Sequence, residues 1–454
     1  VDLRRYLTRE GNPLPEGTLV VGGGLVVNGL ATFAFLGIAG RVLGPEDFAP
    51  LSVMWALVFF AGPGLFLPLE QEVSRALANR WARNLGVGTV VRQAATIGAV
   101  TCAVVGVVAL VLWPFELEEL LRGDVALFVA FLVGTVGYAA VHLTRGVLAG
   151  EGRFGGYARL FVGEGVPRVV LAGVLGVLGV EVVGAYGALV ALAPFLGVLY
   201  GLRGEHELVT EGPTAEWGEL LAAMGSLLVA SLSAAFLLNA GTLAVERLAT
   251  PSQDEEAGIF LAALVVARVP LFLFQAVQAT LLPKLSALAG AGRFAEFKSR
   301  LGRLISVVVA IGLLGTVGAA LLGPTAVHLM FGEDYAVGGP DLAMLALAMG
   351  LFMVAVSLGQ ALIALSGQAW VAVGWATGAI LFVVATALGD DLFFRVEVGL
   401  LVGSGSAAAV LGGIGWVRLH SHLRALPHTL TPLDHPSDVV DPGEHDAEPD
   451  DATT

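Results

Sequence analysis

Of the 24 Lys and Arg residues in this 454-residue chain, two lie deep inside apolar runs long enough to cross a bilayer. They are Arg168 and Arg268. A cation at that depth is costly unless it faces protein or water, so each needs a partner. Arg168 has one within reach on its own helix. Glu164 precedes it by four residues, which places both on one helical face, with Pro167 loosening the backbone between them. Arg268 has none. The residues three and four positions away are Leu264, Val265, Leu271 and Phe272, all apolar. Its partner must come from another helix, from water or from a ligand. The planar fork of donors on arginine suits phosphate and carboxylate. Pro270 stands beside Arg268 much as Pro167 stands beside Arg168, and Gln275 and Gln278 follow on the same stretch. Arg268, Arg168, Gln275 and Gln278 are therefore the residues expected to bind an anionic substrate.

A second group could move protons or act as a gate. Glu70, Glu72 and Arg75 close an apolar run in the stretch PLEQEVSRALANR. His142 and Arg145 end another run, three residues apart. Histidine titrates in the range that proton coupling needs. Together with Glu164 these are the expected coupling or gating groups; the alternative for each is an interfacial charge or a neutralised pair.

Other chemistries find no support. There is no P-loop, no GxSxG, no HExxH and no dinucleotide fingerprint in a strand–helix setting. Cys102 is the single cysteine, so no internal disulfide and no thiolate metal set can form. No catalytic residue, metal site or cofactor is expected, and no nucleic-acid-binding surface; the chain reads as a non-enzyme.

These residues need a membrane scaffold to hold them. The chain is 56% hydrophobic and 14% charged, with a mean hydropathy of +0.83. That composition is polytopic. The 61 glycines fit close helix packing in lipid. Runs of span length fall near 17–41, 49–70, 88–113, 125–148, 156–180, 182–202, 220–245, 257–283, 303–331, 341–365, 368–388 and 397–419. Residues 1–16 read as a short polar segment ahead of an uncleaved first helix. With both termini in the cytoplasm, eighteen basic residues fall on inner segments and only Arg41, Arg122, Arg247 and Arg395 on outer ones. The positive-inside rule favours that orientation. Residues 420–454 form an acidic tail expected to be disordered.

The chain also resembles itself. N-G-L-A-T-F-A…R-V-L-G-P at 28–45 echoes N-A-G-T-L-A-V-E-R-L-A-T-P at 239–251, and Leu148-Ala149-Gly150 echoes Leu365-Ser366-Gly367. The expected fold is all-α, with about twelve transmembrane helices in two six-helix parallel repeats around a central cavity. The expected units are 17–202, a linker at 203–219, which reads equally as loop or as a short interfacial helix carrying Trp217, and 220–419.

The two halves, the loop R-V-L-G-P-E-D-F at 41–48 and the turn L-A-G-E-G-R-F at 148–154 resemble the polysaccharide and oligosaccharide-lipid flippases. These bacterial proteins, which include O-antigen and lipid II flippases, belong to the multidrug/oligosaccharidyl-lipid/polysaccharide exporter superfamily. The resemblance implies alternating access in the cell (inner) membrane and a polyprenyl pyrophosphate-linked sugar as cargo, loaded from the cytoplasmic side. It also implies glycosyltransferases and a polymerase of the same pathway as partners, besides membrane lipids. Lipid II flippases cluster arginines on spans one, two and eight; only Arg268 matches here. Drug exporters of the superfamily often carry a carboxylate in span one, and 17–40 has none. A cation-coupled small-molecule exporter and a non-transporting scaffold or receptor are the alternatives.

Overall fold

The computed structural model describes residues 17–82, 85–206, 208–214, 216–221, 224–271, 274, 285, 288–289, 291–365 and 367–425. Among these residues the chain is helical throughout, with no strand. The principal helices are α1 (Thr18–Ala61), α2 (Leu67–Ala82), α3 (Gly88–Leu112), α4 (Val125–Gly150), α5 (Phe154–Val177) and α6 (Val183–Leu202). After a polar linker come α7 (Met224–Leu248), α8 (Asp254–Ala267), α9 (Phe294–Phe331), α10 (Gly339–Ala364), α11 (Gln368–Ala387) and α12 (Leu392–Ala425).

Ten helical stretches in the described residues are long and apolar enough to cross a membrane. One of them, Leu19–Trp81, holds 63 residues, or about 95 Å of helix. It makes two crossings and reverses at Gly44, whose φ of 76° and ψ of 170° break the helix just before Pro45. No residue with a Cβ takes that backbone readily. The expected first and second spans are thus joined at this bend, and the second runs on past residue 70 through a π turn, Gly62–Phe66, into α2. The expected eighth span begins as α8, whose 14 residues end at Ala267. Among the described residues this gives eleven crossings, six of them in the first half, and the rest of the expected eighth span lies outside the described residues.

The turns follow from local chemistry. Asp124 caps α4 by accepting from the amides of Ala126 and Leu127. At the end of α4, Gly152 takes φ 68° and the Arg153 amide returns to the Leu148 carbonyl at 2.7 Å, closing a Schellman turn. Pro251 opens a 3-10 turn behind a Thr250–Gln253 capping box. Among its described residues the linker ends in a one-turn helix, Gly218–Leu221, and Trp217 is exposed. Its upstream part is fixed to the first half: the Gly88 amide donates to the Thr210 carbonyl, and Arg80 donates to the Gly86 and Pro213 carbonyls.

The two ends of the bundle differ. One bears the linker and is called the linker face. The other bears Glu46, Asp47, Glu116, Glu118, Glu119, Asp254, Glu255 and Glu256, and is called the acidic face.

Candidate functional site

Arg268 caps the C-terminus of α8, about 20 Å from its acidic-face end at 1.5 Å per residue. Its Nη2 donates to the Leu238 carbonyl of α7, and its Nε is buried with no partner. The guanidinium lines a small cavity of about 20 Å³ between the halves, room for roughly one water. Leu36, Ser52 and Trp55 come from the first half; Thr242, Leu264 and Arg268 come from the second. The Ser52 hydroxyl is also buried without a partner. An arginine and a serine with unmet hydrogen-bonding capacity therefore face a cavity that both halves build, and none of its lining residues is acidic.

Arg168 lies elsewhere. It is 1% exposed and enclosed in the first half. Its Nη2 donates to Thr32 Oγ1 at 2.6 Å, and its Nη1 lies 3.6 Å from Glu164. Its guanidinium carbon stands 5.0 Å from the Trp55 ring and 5.7 Å from the Phe35 ring. Such cation–π contacts offset part of the desolvation that burial imposes. Glu164 in turn accepts from Tyr138 at 2.7 Å. Trp55 is the element common to both arginines. It lines the Arg268 cavity, and its ring lies against the Arg168 guanidinium.

A second buried cluster lies toward the linker face, in the first half. Glu70 on α2 meets His142 Nδ1 on α4 at 2.7 Å through one oxygen. The other oxygen accepts from Tyr157 of α5 at 2.9 Å and lies 3.3 Å from Arg145 of α4. Arg145 also donates to the Tyr157 hydroxyl at 2.8 and 3.0 Å and lies over the rings of Tyr157 and Phe161. Three helices are tied by one carboxylate. Glycine makes the approach feasible: a Cβ on Gly146 would stand 2.9 Å from the Glu70 carbonyl oxygen. Glu72 instead pairs with Arg75 one turn along, at 2.6 Å.

The structure thus joins Glu70, His142 and Arg145 in one cluster, and Glu164 with Arg168 in another. It keeps Arg268 apart from Arg168, on the far side of Trp55. Gln275 and Gln278 lie outside the described residues. Sequence reasoning passed over Tyr138, Tyr157, Ser52, Trp55 and Thr242, which carry no charge and sit in ordinary apolar runs. It also passed over Glu397, which reads as a span-boundary acid yet is 1% exposed with one oxygen unpartnered.

The acidic face holds the halves together. Arg122 takes φ 50°, the only non-glycine residue above zero among those described. From there it reaches Glu246 at 2.8 Å, Asp254 at 3.5 Å and the Glu46 carbonyl at 3.0 Å. Arg247 reciprocates toward Glu116 at 3.1 Å and Glu119 at 3.5 Å. The Tyr335 hydroxyl donates to the Gly40 carbonyl at 2.8 Å. Burial, with Asp334 as the smaller cause, pushes that phenol up, so it stays a donor. Gly258 packs directly on the Pro45 carbonyl. Toward the linker face, Ser231 donates to the Gly64 carbonyl at 2.6 Å.

No family model matches the chain. An uncharacterized protein of Mycobacterium tuberculosis is 26% identical over 413 residues, which cover 86% of this chain and 90% of that protein. An uncharacterized protein of Mycobacterium bovis is 28% identical over 432 residues, covering 92% and 94%. Among solved structures, an inward-facing multidrug resistance MATE family transporter of the MOP superfamily superposes with a TM-score of 0.71 at 16% identity, covering 90% of this chain and all of that one. An outward-facing structure of such a transporter gives 0.65 at 18% identity, covering 90% and 95%. A Vibrio cholerae MATE transporter mutant gives 0.63 at 15% identity, covering 90% and 96%. The chain has the fold of MATE transporters. These neighbours come from the multidrug branch of the superfamily in which the sequence suggested a lipid-sugar flippase.

Proposed function

We propose that this chain is an alternating-access membrane transporter whose cargo is an anionic amphiphile. The observation that carries the reading is the cavity at Arg268. It lies between the two halves, offers a guanidinium Nε and a serine hydroxyl without partners, and has an aromatic wall in Trp55 and no carboxylate. A site that binds organic cations would need acidic or open aromatic surface; this one offers positive charge. At about 20 Å³ the cavity is too small for a phosphate in this conformation. With the halves parted, its charge matches a pyrophosphate on a polyprenyl chain, Arg268 and Ser52 holding the phosphates, the sugar between the halves and the lipid tail among the helices. The driver is membrane potential or proton movement through the buried carboxylates Glu70 and Glu164.

The clasped acidic face supports reading this conformation as the one closed on that side. With the linker face toward the cytoplasm, as the distribution of arginines favours, loading occurs from inside and release outside. Arg168 then serves the scaffold and the coupling network rather than the cargo. Its partners are Glu164, Thr32 and the Phe35 and Trp55 rings, and it is not among the residues that line the cavity.

The test is transport in proteoliposomes of a fluorescent polyprenyl-pyrophosphoryl sugar beside a fluorescent organic cation. Arg268→Ala is expected to slow the anionic cargo at least about tenfold, the loss of one charge-assisted contact, with Arg268→Lys partly active. Transport of the sugar lipid at wild-type rate by Arg268→Ala would overturn the assignment. The second reading, a multidrug exporter, draws on the fold neighbours. It gains if the organic cation moves and the sugar lipid does not.

A further inference from the structure

A groove opens to the membrane on the flank of the molecule, distinct from the cavity at Arg268. Its volume is about 320 Å³, at the lower end of the range for ligand pockets. One wall is the first crossing of α1, with Phe33, Ala34, Gly37 and Ile38; the other is the end of α9, with Leu329 and Met330. The groove is therefore a seam between the halves. Its surface is hydrocarbon except at one end, where Arg41 stands. Arg41 precedes the Gly44 bend by three residues, which places it at the headgroup level of the acidic face.

The charge environment of Arg41 sets it apart from two neighbours. Arg122 and Arg247, on the same face, each meet carboxylates within 3.5 Å. Arg41 is exposed, and its contact is the Leu329 carbonyl at 2.6 Å. A guanidinium carries five donors, so most of its capacity points away from the protein. In a face otherwise rich in acids, a cation that meets no carboxylate among the described residues, at the mouth of an apolar trough, has the complement of a phosphate on a hydrocarbon chain.

We propose that this seam is a binding site for an anionic phospholipid of the leaflet on the acidic face. One acyl chain lies between Phe33, Ala34 and Met330, and the phosphate sits on Arg41. Gly37 sets the depth of the trough, since a Cβ there would already stand 3.4 Å from the Met330 carbonyl oxygen. Because one wall belongs to each half, a bound lipid favours the arrangement in which α1 and α9 are together, the one closed on the acidic face. This last consequence rests on the alternating-access reading; the binding itself does not.

Delipidated protein is titrated with phosphatidylglycerol or with phosphatidylcholine, and bound lipid is counted by native mass spectrometry. The wild type is expected to bind one phosphatidylglycerol at least about tenfold more tightly than phosphatidylcholine. Arg41→Ala and Arg41→Gln are expected to abolish that preference. Ala34→Trp fills the trough from its exposed wall and is expected to remove binding of both lipids. Equal affinity of the wild type for the two lipids, or a preference kept in both Arg41 variants, overturns the proposal. In a second arm, spin labels at Glu118→Cys and Glu333→Cys, in a Cys102→Ala background, report the distance between the halves. Phosphatidylglycerol is expected to narrow it toward the short value in the wild type and not in Arg41→Ala. If binding follows the charge and the distance does not respond, the site stands and its coupling to alternating access falls.

Discussion

Two buried cations in the same membrane depth range are held in different ways, and the difference decides what each can do. Arg168 has a carboxylate, a hydroxyl and two aromatic faces; its Nε and Nη1 also make no hydrogen bond, so what separates it from Arg268 is the neutralising acid beside it. Arg268 has one backbone carbonyl and an Nε without a partner. Removing one member of a buried ion pair strands the other charge, which costs about 3–5 kcal/mol. Glu164→Gln is therefore expected to lower the melting temperature of the purified protein strongly. The charge-free double variant Glu164→Gln with Arg168→Met is expected to regain much of the loss. A double variant no more stable than Glu164→Gln alone would show that the pair is not what Arg168 depends on. Arg268→Ala should behave oppositely, with little change in melting and a large change in transport. The sequence made the first contrast visible because helical spacing alone shows whether a carboxylate stands four residues away. It could not show the Leu238 carbonyl that receives Arg268, since a backbone acceptor on another helix has no sequence signature. Nor could it pair Glu70 with His142, which lie 72 positions apart.

At the scale of elements, small residues determine where helices come close enough for these groups to meet. Along the α2–α4 contact, a Cβ on Gly146 would press on the Glu70 carbonyl oxygen at 2.9 Å, and one on Gly150 would reach the Leu77 side chain at 2.7 Å. Gly146→Val must therefore push α4 from α2 and pull His142 and Arg145 away from the Glu70 carboxylate. The expected result is a destabilised protein whose Glu70 becomes accessible to carboxyl-directed reagents, while Gly106→Val, with nothing within 4 Å, changes neither. Unaltered Glu70 reactivity in a folded Gly146→Val protein would refute this coupling of packing to charge. The membrane spans among the described residues were legible in the sequence because hydrophobic length is a one-dimensional signal. The joins were less so. The bend at Gly44 separates two spans without ending the helical run, and the second span continues to Ala82 because α2 stays helical beyond its apolar part. Polar residues there form a helix that docks the linker instead of a loop.

At the scale of the whole molecule, the link between the halves on the acidic face combines charge with contact, and the two can be separated. Exposed ion pairs contribute little, about 0–1 kcal/mol each. The half-buried Arg122–Glu246 contact contributes more, because Glu246 is shielded, and Arg122 holds its position at φ 50°, a backbone cost of order 1 kcal/mol or more. Arg122→Gly removes that cost and the ion pairs together; Arg122→Ala removes only the pairs. Both should loosen the closed arrangement, the alanine variant also losing stability. Gly258 offers a test that touches no charge. A Cβ there would stand 1.9 Å from the Pro45 carbonyl oxygen and 2.9 Å from its Cα. These are backbone atoms at a bend and cannot turn aside as a side chain would. Gly258→Ala must therefore hold the second half away from the first at this face. Distances between labels at positions 118 and 333 are expected to lengthen in Gly258→Ala with all ion-pairing residues intact, and to lengthen further when Arg122→Ala is added. If Gly258→Ala keeps the wild-type distance in a folded protein, the backbone contact is not what closes the face, and the arginine clasp must carry closure alone. Because the cavity at Arg268 lies behind this closure, the same variant should expose Ser52→Cys to thiol reagents added on the acidic side, whereas the wild-type background protects it.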